Sequence, residues 1–120
     1  MWGEVELEPE VKAWLRELDD AAFGRMAAYI DLLAEWGPLL DEPHSRQLRG
    51  KLRELRIYLR SEHIRITYFI TTARRIVLLT VFTKRQRREQ AEIDRAWRAM
   101  QACIAAGHTA EEDPDAEAGA

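Results

Sequence analysis

The clearest pattern in the chain is an alternation of apolar and polar residues between about residues 53 and 83. It predicts β-strands, because successive side chains of a strand point to opposite faces of a sheet. We expect strands at about Arg53 to Arg60, His63 to Thr72 and Arg75 to Thr83. Their connections are short, which favours antiparallel neighbours. The third strand is apolar on both faces, as is typical of a central strand.

Apolar residues recur with helical spacing on both sides of these strands. One helix is expected over about residues 8–18, and a second, capped by an aspartate, over 19–36, with an apolar stripe that begins at Phe23. A last helix is expected over 88–106, with a stripe that ends at Ile104. Together with a short strand in the opening "GEVEL", the predicted order is β-α-α-β-β-β-α. The sequence therefore predicts a small single α+β domain with an antiparallel-rich sheet and helices packed on one sheet face.

Length and composition limit the class of protein. A chain of 120 residues suits one domain, which we place at 1–106. Residues 107–120 form an acidic tail without a large apolar residue, a composition typical of disorder. Cys103 is the only cysteine, so an internal disulfide is excluded. No apolar run approaches the roughly 20 residues of a membrane span, and the acidic start does not resemble a signal peptide. The expectation is a cytoplasmic protein without a membrane partner.

The net charge of −3 hides a strong partition. Residues 1–43 carry 11 acidic and 3 basic side chains, residues 44–88 carry 2 and 13, and residues 89–120 carry 8 and 2. A basic block of this size either binds a polyanion or is held by acidic neighbours. Large apolar residues are interleaved with its charges, so the block belongs to a folded platform. We favour polyanion binding for the block as a whole, although for any single arginine simple solvation is the more common explanation.

The basic block suggests contacts to RNA. Arginine offers a planar fork that fits phosphate oxygens, and Tyr58 could stack on a base. We expect an RNA-binding surface that includes Arg49, Lys51, Arg53, Tyr58, Arg60, Arg87 and Arg88. No glycine-rich phosphate loop is present, and the histidines lack metal-ligand spacing. With no metal or cofactor expected, cleavage of RNA would use its 2′-hydroxyl as the nucleophile, and His63 is one candidate acid or base, although a histidine in a turn is more often only a surface residue.

Three segments in order resemble the RelE/HigB superfamily of toxins from type II toxin–antitoxin systems, in particular its phage-derived, HigB-like branch. They are "SRQLRGKLRELRI", "HIRITYF" and "RIVLLTVFTKRQRREQAEIDRAW". The shared pattern consists of L-x-G-x-L-x-E-L-R, R-I-x-Y-F, F-x-K-[KR] and e-I-x-x-A, found here at Leu48 to Arg56, Arg65 to Phe69, Phe82 to Arg85 and Glu92 to Ala96. The resemblance extends over nearly the whole chain to about Ala106.

This resemblance implies a RelE-like fold and a metal-free, ribosome-dependent endoribonuclease that cleaves mRNA, together with a cognate helix-turn-helix antitoxin. By position, Arg56 and Arg65 match residues that hold the scissile phosphate, and Lys84 and Arg85 match the basic pair after the last strand. Some relatives use a tyrosine or histidine near the last helix, where "REQAEID" has neither. The acid–base role then falls to Glu54, His63 or a lysine.

Three functional hypotheses follow. The first is a toxin nuclease, the second is a non-catalytic RNA-binding or regulatory protein on the same fold, and the third is a catalytically weak toxin whose basic face docks an antitoxin. For the site, we expect Arg56 and Arg65 to lie on neighbouring strands with their side chains on the same side of the sheet. We also expect the Arg65 side chain to be exposed, so that its loss would cost little stability.

Overall fold

The computed structural model describes residues 1–107 and contains one sheet and three α-helices. Of the predicted tail at 107–120, all but Gly107 lies outside the described residues, and the domain boundary at 106 stays a prediction. In chain order the elements are β1 (Glu4–Leu7), α1 (Pro9–Arg16), α2 (Asp20–Trp36), a 3-10 turn (Gly37–Leu39), β2 (Ser45–Arg49), β3 (Leu52–Leu59), β4 (Glu62–Ile70), β5 (Arg75–Thr83) and α3 (Gln90–Ala105).

The five strands form one mixed sheet in the order β1-β5-β4-β3-β2. β1 pairs with β5 in parallel, and the other neighbours are antiparallel. The predicted α+β class, the three central strands and their antiparallel pairing are confirmed. The predicted order missed β2, because this edge strand is short and polar and its pairing is interrupted by a bulge between Gln47 and Arg49. Gly50, with φ of +54°, opens the two-residue turn into β3 and was the available hairpin signal.

Helices α1 and α2 cover one face of the sheet, which we call the first face. Their buried side chains, such as Val11 and Met26, pack against the apolar members of β3 and β4. Those members follow the predicted alternation: Leu55, Ile57, Leu59, Ile64, Ile66 and Tyr68. Burial of this set supplies the main hydrophobic stabilisation of the domain.

Helix α3 packs on the opposite face, which we call the second face. Ala96, Met100 and Cys103 contact Phe69 and Leu79 in a separate apolar cluster. The prediction that all helices pack on one face is therefore wrong, since the third strand is apolar on both faces and needs cover on both. Helix α3 covers the end of the second face that carries Phe69, and the other end carries the polar side chains described below.

Helix termini follow local sequence signals. Pro9 occupies the first turn of α1, and the Asp19 carboxylate accepts a 2.9 Å hydrogen bond from the Ala22 amide at the start of α2. The predicted stripes are correct only in part. Phe23 is 49% exposed and Ile104 is 43% exposed, because their neighbours Ala22 and Cys103 turn toward the sheet instead. Within residues 1–107, no helix is long and apolar enough to cross a membrane.

Candidate active site

Strand register brings the polar side chains of the second face into three parallel rows. The first row holds Arg46, Glu54, Thr67 and Thr80, the second holds Arg56, Arg65 and Phe82, and the third holds Tyr58 and His63. Lys84 joins the third row, since its amide donates a 2.7 Å hydrogen bond to the His63 carbonyl. Neighbouring rows are two residues apart along a strand, or about 6.6 Å. Arg56 and Arg65 lie directly opposite each other, so the prediction of a shared side is confirmed.

A cavity of about 560 Å³ opens over the first two rows, between the sheet and the start of α3. Five cationic side chains line it, accompanied by two carboxylates and by apolar walls. The lining residues are Arg46, Gln47, Leu48, Glu54, Arg56, Phe82, Lys84, Arg87, Arg88, Glu89 and Ile93. Arg46 was missed by the sequence reasoning because it lies on the unrecognised strand β2. Its position opposite Glu54 could have been inferred from the Gly50 hairpin turn.

Glu54 lies buried among the cations, only 7% exposed. Its Oε2 atom is 3.5 Å from Nε of Arg65 and 3.8 Å from Nε of Arg56. Burial raises the pKa of Glu54 above its usual value, although Arg65, Arg56, Arg46 and Lys84 all act to lower it. The carboxyl group is therefore poised to accept and hold a proton.

Arg65 is almost fully buried, with 4% of its surface exposed. Burial lowers its pKa, and the Glu54 carboxylate opposes that effect. The expectation of an exposed Arg65 is wrong, since the side chain is buried on the second face. Among the described residues, the buried Nε atoms of Arg56 and Arg65 have no hydrogen-bond partner. Both atoms instead lie within 3.8 Å of the Glu54 carboxylate, so their charge is compensated through space rather than by a hydrogen bond.

The segment between β5 and α3 forms a turn that its own hydrogen bonds stabilise. The Lys84 ammonium donates hydrogen bonds to the carbonyls of Gln86 and Arg87. The Glu89 carboxylate accepts 2.7 Å hydrogen bonds from the amides of Arg85 and Gln86, and these bonds lower the pKa of Glu89. This turn holds Lys84 and Arg87 at the cavity, whereas Arg85 is exposed and is not among the lining residues. The structure therefore separates the predicted Lys84–Arg85 pair.

Other predicted RNA-binding residues lie away from the cavity. The Arg49 guanidinium pairs with Asp94 at 2.8 Å and lies over the Trp97 ring. Three more are elsewhere: Arg53 donates to Ser45 on the first-face side, Arg60 pairs with Asp19 beside α2, and Lys51 is exposed in the β2–β3 turn. The basic block thus divides into arginines held by acidic neighbours and a cluster at the cavity. The first group is explained by acidic neighbours, whereas polyanion binding by the cavity cluster stays a prediction.

Tyr58 and His63 are exposed in the third row, beside the arginine pair. Their ring centroids are 5.1 Å apart with an interplanar angle of 50°. Neither residue lines the cavity. Within residues 1–107, no group of three or more histidine, cysteine, aspartate or glutamate side chains could hold a metal ion.

Comparison with known proteins identifies a family whose model matches most of this chain. The model of a family described as "Phage derived protein Gp49-like" matches residues 13–101. No curated protein sequence matches the chain.

Solved structures of RelE toxins share the fold. An archaeal RelE–RelB complex from Pyrococcus horikoshii OT3 has 24% identity and a TM-score of 0.52, over 73% of this chain and 100% of that one. The intact E. coli RelBE toxin–antitoxin complex has 16% identity and a TM-score of 0.53, over 70% of this chain and 99% of the other. A double arginine-to-alanine variant of free E. coli RelE has 19% identity and a TM-score of 0.53, over 82% and 94% of the two chains. The predicted resemblance to RelE/HigB toxins is confirmed.

Proposed function

The chain belongs to the phage-derived Gp49-like protein family, and from this premise we propose that it is the toxin of a type II toxin–antitoxin system. In this proposal it is a metal-independent endoribonuclease that cleaves mRNA on the ribosome, in the cytoplasm. The RelE fold of the solved toxin structures supports the proposal, as does the cationic cavity.

The burial of Glu54 among arginines is the observation that carries the proposal. A surface that only bound RNA would be weakened by a carboxylate inside its phosphate site, because like charges repel. A nuclease gains from that carboxylate, since burial raises the pKa of Glu54 and a carboxylate with a raised pKa is a stronger proton acceptor. The same feature favours an enzyme over the non-catalytic RNA-binding alternative on this fold.

The positions of the three rows suggest which side chain takes part in which step of the cleavage reaction. In an in-line displacement, the attacking and departing oxygens lie on opposite sides of phosphorus. With the scissile phosphate over Arg56 and Arg65, Glu54 lies one row to one side and Lys84 one row to the other. Glu54 would take the proton of the 2′-hydroxyl as that oxygen attacks phosphorus. Lys84 would give a proton to the 5′ oxygen as its bond to phosphorus breaks, which leaves a 2′,3′-cyclic phosphate and a 5′-hydroxyl.

The arginine pair would stabilise the charge that builds up on the phosphate oxygens. Arg56 lines the cavity and can contact a phosphate directly. Arg65 is buried and lies next to Glu54 and Arg56. Its guanidinium therefore also fixes the position of the Glu54 carboxylate. Removing one such donor typically costs about 100- to 1,000-fold in rate.

The proposal includes an antitoxin partner, because two of the similar structures are toxin–antitoxin complexes. We expect a small helix-turn-helix protein encoded beside this gene, which would inhibit by covering the cationic cavity or by preventing entry to the ribosome. In the alternative of a weak toxin, the same cations would serve only to dock that protein.

Induced expression in a bacterial host tests the proposed function. Growth should stop when the wild-type chain is expressed alone and should continue when the neighbouring gene is co-expressed. Messenger RNA ends mapped after induction should show new cuts within translated regions. Continued growth with no new ends, in cells that contain the folded protein, would refute the nuclease proposal.

A further inference from the structure

Tyr58 and His63 form an exposed aromatic pair at one edge of the candidate site. Tyr58 is 51% exposed, and its ring centroid lies 5.1 Å from that of His63. The pair occupies the third row, directly beside the Arg56–Arg65 row. An exposed aromatic ring next to a phosphate site has the chemistry of a stacking platform for a nucleobase.

The platform is held in place from two sides. On one side, the β3–β4 hairpin turns through Arg60 and Ser61, which both have positive φ. Arg60 forms an ion pair with Asp19, the N-cap residue of α2. On the other side, the His63 carbonyl accepts a hydrogen bond from the Lys84 amide. These contacts fix the backbone on which the two rings stand, and the His63 ring is the neighbour that supports the Tyr58 ring; a site ordered in advance favours binding.

The order of the rows also indicates which nucleotide of the RNA would lie on the platform. Glu54, the proposed acceptor of the 2′-hydroxyl proton, lies on the opposite side of the arginine pair from Tyr58, about 13 Å along the strand. The nucleotide that supplies the 2′-hydroxyl therefore lies toward Glu54. The nucleotide that carries the departing 5′ oxygen lies toward Lys84, Tyr58 and His63.

We propose that Tyr58, supported by the His63 ring, stacks on the base on the 3′ side of the scissile phosphate and contributes to the choice of cleavage position. This assignment rests on the proposed function and gives His63 a positioning role. The platform reads a base by its flat surface, so it accepts every base and favours purines, whose larger rings stack more strongly.

Two dinucleotide probes test the direction, because a single phosphate fixes how each probe can sit. Both contain 2-aminopurine, whose fluorescence is quenched by stacking, and a 2′-O-methyl group that prevents cleavage. One carries 2-aminopurine on the 3′ side of the phosphate and the other on the 5′ side. Titration at low salt should show protein-dependent quenching of the 3′ probe and much less of the 5′ probe.

Variants separate stacking from general effects on the fold. Tyr58→Ala should weaken binding of the 3′ probe by about 5- to 100-fold, the range expected for one stacked base. Tyr58→Phe should bind like the wild type, and His63→Phe should restore what His63→Ala loses. Phe23→Ala removes an aromatic ring of similar exposure on α2 and should change nothing.

Equal quenching of the two probes, no binding of either probe, or full quenching by Tyr58→Ala would overturn the platform. Cleavage of mRNA on translating ribosomes, measured with the same wild-type preparation, separates this outcome from failure of the proposed function. If mRNA is cleaved but the two probes are not quenched differently, the platform proposal fails and the nuclease proposal stands. Asymmetric quenching that depends on Tyr58 supports the platform even if the preparation does not cleave, in which case the nuclease proposal fails.

Discussion

The buried Glu54–Arg65 pair leads to a prediction about stability, in which loss of the carboxylate and loss of the arginine have unequal effects. The raised pKa of Glu54 means that the folded state binds a proton more tightly than the unfolded state does. Ionisation of Glu54 therefore costs stability, and the free energy of unfolding should fall as pH rises above the usual glutamate value of 4.5. Glu54→Gln removes that cost but also the counter-charge of buried Arg65, although the amide oxygen can still accept a hydrogen bond from an arginine N–H. Because the two effects oppose each other, we expect this variant to lie within about 1 kcal/mol of the wild type at pH 8.

Arg65→Met should instead destabilise the protein clearly. Methionine keeps much of the buried stem but leaves the Glu54 carboxylate without its main counter-charge. Removing one partner of a buried pair costs about 3–5 kcal/mol. We expect a loss near 3 kcal/mol, since Arg56 remains 3.8 Å from the same carboxylate and Glu54 can take up a proton. In the Glu54→Gln background the same substitution should cost less than about 1 kcal/mol, because no ionised carboxylate is left unpaired.

Urea denaturation of the four proteins at pH 8 measures these values. With a slope of about 1–3 kcal/mol per molar urea, Arg65→Met should lower the midpoint by about 1–3 M, and the total stability of about 5–15 kcal/mol leaves it folded. Arg25→Met, an exposed substitution on α2, is the control and should stay within about 0.5 kcal/mol of the wild type. The reasoning is refuted if Glu54→Gln is strongly destabilised, or if Arg65→Met costs the same in both backgrounds.

Three further predictions concern RNA binding, metal independence and the core. Five cations line the cavity, so the logarithm of RNA affinity should fall against the logarithm of salt concentration with a slope as steep as about −3.5; anisotropy titrations that show constant affinity would exclude the cavity as the RNA surface. Replacing a nonbridging oxygen of the scissile phosphate by sulfur should slow cleavage equally in Mg²⁺ and Mn²⁺, whereas rescue by Mn²⁺ would indicate a metal on that oxygen. Burial raises the pKa of Cys103 to about 11, so an aromatic disulfide reagent should label the thiol at pH 8 only in urea; rapid labelling of the native protein would show that the α3 contact with the sheet opens easily.

Side-chain alternation made the faces of the central strands predictable. It correctly placed Leu55 and Ile57 on one face of β3 and Glu54 and Arg56 on the other, because the period of two is fixed by strand geometry. Short connections fixed the antiparallel order, and this order put Arg65 opposite Arg56. Local pattern was sufficient wherever the relevant contact lay between sequence neighbours or across one tight turn.

The burial of the site and the membership of its cationic cluster depend on distant contacts. Alternation identifies the side of the sheet that carries Arg65 but does not reveal that α3 and Phe82 border that side. Arg60 continued the alternation in sequence, yet the hairpin turn directs it to Asp19, 41 residues earlier. Arg46 was overlooked because its edge strand is too short and polar to give a clear periodic signal. Each of these features follows from pairing across the fold, which a single sequence does not display.

Cleavage of mRNA by purified protein on translating ribosomes tests whether Glu54 and Arg56 carry out the reaction. Glu54→Gln and Arg56→Met are compared with the wild type and with Arg16→Met, an exposed control. The account predicts defined cuts by the wild type and the control. It predicts a rate at least about 100-fold lower for Glu54→Gln and for Arg56→Met, the usual cost of losing an acid–base group or a transition-state donor. Because Glu54→Gln should be as stable as the wild type, its loss of activity cannot be attributed to unfolding. Wild-type cleavage rates in Glu54→Gln would contradict the account.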